Sequence, residues 1–316
     1  MSRTKGVLTI AHSKPKYIRQ AVSLARSIKL RAPDIPLAVV TNFPPERFEG
    51  LYDQVIQWDF SLRSGIICKL DVYEMSPFDT TLFIEADCLV VKPLHLVFDY
   101  FSGHHFAVFG RNEATTPYFQ SYEKVFTAVP SATYPIFNGG LSYFEKSTPA
   151  EAVYRTARQL FHRYDELNLA RVYHSSRLPH GTECDEPLFS LAMATHGFKA
   201  FDNPHLDIMA APERPLFNID IDILAGNYSF IRGGRLVHPV IPHFVGVRDT
   251  CYEYLRETLR LEAVYRHRRL SSWCNRVICC RAYGKMHFLK CQRRFQELFY
   301  RYLLKLRCAV TPSGYS

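Results

Sequence analysis

The first 110 residues alternate between short apolar runs and segments in which apolar residues recur at helical spacing. GVLTIA, from Gly6 to Ala11, predicts a buried strand, and the following segment predicts a helix because Ile18, Ala21, Val22, Ala25 and Ile28 share one face. Pro33 and Pro36 end that helix, and PLAVVTN predicts the second strand.

The same alternation continues along the chain. GIICKLDVYEM predicts a helix, TTLFIEAD a strand, LHLVFDYF a helix and HFAVFG a strand. Further on, FNGGLSYFEKS predicts a turn that enters a strand, and helices are predicted from about Thr148 to Leu167 and in PLFSLAMATHG. Strands that alternate with helices indicate βαβ units and an α/β sheet, in which ligands bind at the carboxyl ends of the strands.

Charge divides the chain near residue 250. Residues 1–250 hold 25 Lys and Arg against 26 Asp and Glu, whereas residues 251–316 hold 14 against 4, so the whole net charge of +9 comes from the second part. We therefore predict a catalytic domain over 1–250 and a basic, Cys-rich helical extension over 251–316. Nine cysteines, an odd number, without a secretion signal favour reduced thiols.

The expected location is the cytoplasm. No apolar run approaches the roughly 18 residues of a membrane-spanning helix, and MSRTKGVLTIAHSK lacks the apolar region and cleavage site of a signal peptide. A peripheral position on the cytoplasmic face of a membrane remains open, because MHFLKCQRRFQELFYRYLLKLRCAV predicts a basic amphipathic helix with aromatic residues on one face. The alternative for this helix is packing on the catalytic domain.

Several common chemistries have no motif in the chain. No GxGxxG follows a strand, and GxxxxGK[ST], HExxH and GxSxG do not occur. Dinucleotide-dependent oxidoreductases, P-loop enzymes, zincins and α/β-hydrolases are therefore disfavoured.

An acidic pair, Glu85 and Asp87, directly follows a strand that should be buried. Carboxylates are rarely buried without a counter-charge, and on an extended chain two residues apart they project to the same side, with the small Ala86 between them. Together with His243 they form the oxygen and imidazole set that a divalent cation carrying a diphosphate requires. The ordinary alternatives are a strand-end turn with solvated carboxylates and a core histidine.

LFIEADCLVV resembles the strand and Asp-x-Asp signature of the GT-A fold glycosyltransferases. The order CKLDVYEM, FIEADCLVV, FNGG, CDEPLFSLA and IPHFVG is similar to the retaining glycogenin-type branch, and the resemblance covers about 6–246. It implies a GT-A-like, Rossmann-type mixed sheet flanked by helices. It further implies Mn²⁺- or Mg²⁺-dependent transfer of a sugar, with retention of configuration, from a nucleotide-sugar such as a UDP-sugar to a saccharide, glycolipid or protein acceptor.

The resemblance also implies residue roles. Asp87 and His243 would bind the metal, with Glu85 at the metal or the ribose, and Lys69 would contact the donor sugar or phosphate. Asp185 and Glu186 would hold sugar hydroxyls and face the acceptor. The implied donor-binding set is completed by Thr9 and Ala11 near uracil and ribose, Ala86 in the acidic motif, Asn138, Gly139 and Gly140 at the sugar, and Gly246 and Arg248 near the diphosphate.

Two positions depart from the family pattern. Glu85 stands where the family usually has Asp, and Arg248 and Asp249 stand where a Lys commonly follows the late histidine motif. Arg248 can bind phosphate through two parallel hydrogen bonds. Each short motif also has an ordinary alternative: a helix-surface lysine for Lys69, a plain turn for 138–140, and a helix N-terminal charge pair for 185–186.

Other functions stay open from the sequence alone. A nucleotidyltransferase of related fold would also use acidic residues and a metal, and a degenerate sugar-nucleotide binder or membrane-associated scaffold would keep the fold without turnover. Zinc binding by Cys274, Cys279, Cys280, His287 and Cys291 matches no common spacing, and nucleic-acid binding by the basic extension has no recognised module beside it.

Overall fold

The structure, a computed structural model, describes residues 4–120, 122–172, 181–203, 207–212, 219–245, 251–267 and 274–288. The strands are β1 (Lys5–Ala11), β2 (Leu37–Thr41), β3 (Gln54–Gln57), β4 (Thr80–Ile84), β5 (Phe106–Ala107), β6 (Gly110–Glu113), β7 (Tyr134–Phe137), β8 (Leu141–Glu145), β9 (Arg171–Val172), β10 (Thr182–Glu183), β11 (Met209–Ala210), β12 (Asp220–Asp222), β13 (Asn227–Arg232), β14 (Arg235–Val237) and β15 (Ile241–Pro242). The helices are α1 (Pro15–Arg31), α2 (Val72–Met75), α3 (His95–Phe101), α4 (Tyr122–Ala128), α5 (Thr148–Phe161), α6 (Asp185–Thr195), α7 (Tyr252–His267) and α8 (274–288). Two 3-10 helices span Pro45–Phe48 and Ile67–Asp71.

The main sheet is mixed and has six strands in the order β3-β2-β1-β4-β8-β5. The first four run parallel, with Val7 of β1 opposite Leu37 on one side and Leu82 on the other. β8 is antiparallel to β4, and β5 is antiparallel to β8. The predicted α/β class with a mixed sheet flanked by helices is therefore confirmed.

Alternate side chains of β1 enter the two hydrophobic layers on either face of the sheet. Leu8 packs with the residues of α5 and α6, whereas Val7 and Ala11 pack with α1 and α3. α1 begins at Pro15, whose missing N–H costs nothing in the first helical turn, and it ends just before Pro33. This layering leaves the carboxyl ends of β1, β2 and β4 at one edge of the sheet.

Two predicted helices differ from the structure. The segment GIICKLDVYEM forms the 3-10 helix Ile67–Asp71 and then only the single turn α2. The tighter i→i+3 winding accompanies burial of four of its five residues, Ile67, Cys68, Leu70 and Asp71. α5 ends at Phe161 rather than Leu167, since successive tight turns follow and Asn168 adopts a positive φ of 52°.

α7 packs into the body of the protein. Cys251, Tyr254 and Leu261 share a buried cluster with Leu89 and Phe244, and α7 also lies against α1. Most of the predicted basic amphipathic helix, beyond Phe288, lies outside the described residues. None of the helices in the described ranges combines the length and the apolar character needed to cross a bilayer.

Candidate functional site

The acidic pair sits in a turn at the carboxyl end of β4. The amide of Cys88 donates to the carbonyl of Glu85 at 3.0 Å, so the chain reverses over Ala86 and Asp87 instead of staying extended as the sequence argument assumed. The amide of Glu85 donates in turn to the carbonyl of Gly140 at 3.0 Å. These bonds fix the turn, and the turn still directs both carboxylates toward His243.

Backbone pairing brings His243 to this turn from a distant part of the sequence. The amide of Phe244 donates to the carbonyl of Asp87, and that of Leu89 donates to the carbonyl of Pro242, both at 3.1 Å. Cys88 and His243 therefore form an antiparallel bridge. The ligand candidates Asp87 and His243 are thus held in register by the backbone itself.

One nitrogen of the His243 imidazole has a defined role. Its Nδ1 lies 2.9 Å from Oδ1 of Asn138, an atom that also accepts the amide of Gly140 at 2.9 Å and so must be the amide oxygen. Nδ1 is therefore the protonated donor. Nε2 lies 3.0 Å from Oε2 of Glu85 and 3.3 Å from Oδ1 of Asp87, and it is buried without a hydrogen-bond partner.

This arrangement suits a cation. In the neutral ring Nε2 and the two carboxylates all present lone pairs to one another, which is unfavourable unless a proton or a metal ion lies among them. Burial lowers the pKa of His243, but the Asp87 and Glu85 carboxylates outweigh it and raise that pKa to about 10. The chemistry of the donor set, one imidazole and acidic oxygens, fits a divalent cation such as Mn²⁺ or Mg²⁺.

Cys88 is the third member of the potential ligand cluster with Asp87 and His243. Burial, together with the neighbouring Asp87 and Glu85 carboxylates, raises the pKa of the Cys88 thiol well above its usual range. The thiol is therefore neutral in this setting, and neutral sulfur is a poor ligand for hard cations. Carboxylate and imidazole remain the better ligands here.

Lys69 uses its ammonium group on protein acceptors. Nζ lies 2.6 Å from Oε1 of Glu85, 3.1 Å from Oδ2 of Asp185 and 3.2 Å from the carbonyl of Gly139. An ammonium has three N–H bonds, so these contacts account for all of them. The Lys69 side chain is only 12 % exposed and that of Asp185 only 3 %, so water screens this pair little.

Asp185 and Glu186 open α6 and face the turn between β7 and β8. Oε1 of Glu186 accepts the amide of Gly139 at 2.8 Å. Burial and the adjacent Asp185 carboxylate raise the pKa of Glu186 to about 7, so near neutral pH this carboxyl can donate as well as accept a hydrogen bond.

The two glycines of this turn are needed for close approach. A Cβ on Gly139 would lie 2.9 Å from Oδ2 of Asp185, and one on Gly140 would lie 2.7 Å from the ring of His243. The structure thus brings eight of the predicted site residues together: Lys69, Glu85, Asp87, Asn138, Gly139, Gly140, Asp185 and His243, with Glu186 beside them.

The remaining predicted site residues are not part of this group. Thr9 and Ala11 are 1 % and 0 % exposed, and Ala86 is buried within the acidic turn. Gly246 and Arg248 lie outside the described residues, so their implied role at the diphosphate stays a prediction.

His12 is a polar group at the sheet edge that the sequence argument missed. It follows β1 directly, stacks on Phe60 with ring centroids 4.1 Å apart, and precedes Ser13, whose amide donates to Oδ1 of Asn42 at the end of β2. The sequence feature that could have identified His12 is the same one that identified Glu85 and Asp87 after β4, a polar residue immediately after a buried parallel strand.

Comparisons with known proteins establish the fold. No protein-family model and no curated protein sequence matches the chain. The solved structure of the galactosyltransferase LgtC with donor and acceptor sugar analogues is similar at a TM-score of 0.50 and 13% identity, over 84% of this chain and 98% of LgtC. The bifunctional glycosyltransferase WbbM matches at a TM-score of 0.50 and 12% identity, over 91% of this chain and 52% of WbbM. The chain therefore has the GT-A fold, as its sequence predicted.

Proposed function

We propose that this GT-A fold protein is a glycosyltransferase that moves a sugar from a UDP-sugar donor to a hydroxyl group of an acceptor, with retention of configuration. The observation that carries the proposal is the meeting of Glu85, Asp87 and His243 at the carboxyl edge of the parallel strands. In open α/β sheets this edge is where ligands bind. The assignment to the glycogenin-type branch belongs to the same proposal.

The charge of the site supports a metal-dependent donor. The carboxyl groups of Glu85, Asp87 and Asp185 lie against Lys69 and His243, and the partly ionised Glu186 lies beside them, so acidic groups outnumber basic ones where a diphosphate would approach. A divalent cation held by Asp87 and His243, with Glu85 at its margin, would offset that repulsion. When bound, such a cation neutralises the charge that develops on the leaving diphosphate.

Lys69 has a different role in this proposal from the phosphate contact implied by the family. Its three N–H groups hold Glu85, Asp185 and Gly139, so it acts as a positioning residue. By joining the acidic turn, the β7–β8 turn and the start of α6, it keeps the donor side and the acceptor side of the site in one geometry. Precise placement of reacting groups is a large part of what an enzyme contributes.

Transfer itself would join the acceptor to the anomeric carbon. The bond between that carbon and the diphosphate oxygen breaks, the acceptor oxygen bonds to the same face, and the acceptor proton passes to the departing diphosphate. Asp185 and Glu186 would orient the sugar hydroxyls, and Asn138 keeps the His243 ring in position. The polar groups at the ends of β1 and β2, His12 and Asn42, would border the nucleoside.

Ligand-induced thermal stabilisation tests the proposal. UDP and other nucleoside diphosphates are added with and without Mn²⁺ to the wild type, to Asp87→Asn and to the exposed control Asp99→Asn. Ligand at about 100 times its dissociation constant adds about 2.7 kcal/mol of stability. We expect stabilisation by UDP only with Mn²⁺, lost in Asp87→Asn and kept in Asp99→Asn.

Donor turnover and the anomeric configuration of the product, followed by NMR, complete the test. Binding without turnover of any UDP-sugar would replace the enzyme proposal with a sugar-nucleotide-binding function. Stabilisation that persists in Asp87→Asn would contradict the assigned metal site.

A further inference from the structure

α8 has one side that belongs to the protein core. Ala282 and Met286 are 0 % and 7 % exposed and pack with Leu255 of α7, and the ring of Tyr283 lies 6.4 Å from that of Tyr252. These contacts fix which side of α8 faces the protein. The opposite side faces outward.

The outward side carries an apolar stripe. Val277, Cys280, Gly284 and Phe288 recur at intervals of three, four and four residues, which places them on one face of a helix. Val277 is 44 % exposed and Phe288 is 68 % exposed, so large apolar side chains of this face point into solvent. A row of exposed apolar residues on one helix face indicates a binding surface.

Basic residues flank the stripe on both sides. At 100° per residue, Arg276 lies on one side of it and Arg281 and Lys285 on the other, and all three are exposed. Residues 274–288 contain no Asp or Glu. An apolar strip between two basic margins is the arrangement of a helix that lies in the plane of a bilayer surface.

We propose that this face of α8 docks on an anionic lipid membrane, with Val277 and Phe288 at the acyl boundary and the three basic residues among the headgroups. The long Arg and Lys side chains can keep their charges in the headgroup layer while their stems cover the apolar stripe. Residues 289–316 are less suitable than a lipid surface to pack on this stripe. They contain six Lys and Arg against one Glu and would bring like charge to a basic face. The same charge strengthens attraction to anionic lipid. This proposal does not depend on the proposed sugar transfer.

Liposome flotation of the full-length protein tests the proposal. Vesicles of phosphatidylcholine alone are compared with vesicles that contain about one third phosphatidylserine, at low and high salt. Phe288→Gln removes the apolar anchor, and a triple variant, Arg276→Gln with Arg281→Gln and Lys285→Gln, removes the flanking charge. Leu96→Gln, an exposed apolar residue on α3, is the matched control.

We expect the wild type to bind anionic vesicles only. Phe288→Gln should weaken this binding about tenfold. The triple variant should weaken it about a hundredfold, because each basic residue contributes about fivefold to the affinity for an anionic surface. Leu96→Gln should bind as the wild type does. Equal binding to neutral vesicles, or unchanged binding of both α8 variants, would overturn the proposal. An absence of wild-type flotation would also overturn the proposal. This holds even if light scattering shows that the α8 variants change the molar mass of the protein.

A fluorescence measurement tests the proposal without changing any residue of the proposed docking face. Trp273 immediately precedes α8 in the sequence, and the chain has only one other tryptophan, Trp58. Brominated anionic lipids should quench the fluorescence of the wild type, and quenching should fall when Trp273→Phe is introduced. Quenching that remains unchanged in Trp273→Phe would place the membrane contact away from α8.

Discussion

Replacing Lys69 with methionine should destabilise the protein by an amount that depends on pH. Lys69 is the cation beside the carboxylate of Asp185, whose side chain is 3 % exposed, at a distance of 3.1 Å. Removing one partner of a buried ion pair leaves an uncompensated charge, which typically costs about 3–5 kcal/mol. Glu85 keeps His243 as a second partner, so Asp185 bears most of the loss.

The upper limit of this effect comes from protonation. Without Lys69 the Asp185 carboxyl would take up a proton in the folded state, while in the unfolded chain it still ionises with a pKa of about 3.9. Keeping it protonated at pH 7 costs at most about 4 kcal/mol, and at pH 5 only about 1.5 kcal/mol. Because the folded-state pKa is raised, the deficit grows as pH rises above the unfolded pKa, and it shrinks as pH falls.

Urea unfolding of the wild type and the variant at both pH values measures this difference. Lys29→Met is the matched control, since Lys29 pairs with Asp53 at 3.0 Å where the two side chains are 28 % and 50 % exposed. It should cost under about 1 kcal/mol at either pH. Lys69→Arg should lose much less than Lys69→Met because it keeps the charge. A deficit in Lys69→Met that is the same at pH 5 and pH 7 would show that the loss of stability is not caused by protonation of Asp185.

Further variants test the packing and the ligands of the site. Gly140→Ala should displace the His243 ring, cost about 1–3 kcal/mol in thermal unfolding and abolish stabilisation by Mn²⁺, whereas Gly284→Ala, with open space around it, should be neutral or stabilising. Cys88→Ser should leave Mn²⁺ affinity within a few-fold of wild type, and a large loss in calorimetry would make the thiol a ligand. His243→Ala should lose Mn²⁺ binding with the fold intact by circular dichroism, and retained affinity would move the metal site elsewhere.

The sequence predicted those parts of the fold that depend on local pattern. β1, α1 and β4 were predicted because their apolar spacing is strong and prolines or polar residues bound them. Glu85 and Asp87 could also be identified, since carboxylates are unusual directly after an apolar, buried strand. The 3-10 winding around Lys69 could not be predicted, because periodicity does not separate it from an α-helix in a short segment.

The relations inside the site were also beyond the sequence. No local sequence pattern indicates that the three N–H groups of Lys69 contact Glu85, Asp185 and Gly139, since these acceptors come from three separate elements. The turn over 86–87 likewise depends on pairing with the 240–244 segment. Such contacts arise only when distant segments pack, and the resemblance to a family could suggest their roles but not their geometry.

The backbone pairing of 87–91 with 240–244 determines when the site that contains Asp87 and His243 can form during synthesis of the chain. Asp87 leaves the ribosome before His243, and the hydrogen bond from the amide of Phe244 to the carbonyl of Asp87 cannot form until residue 244 has emerged. A nascent chain that ends before residue 243 therefore holds the acidic turn without its histidine. If a cation binds as proposed, it can do so only after residues 240–244 have paired with residues 87–91.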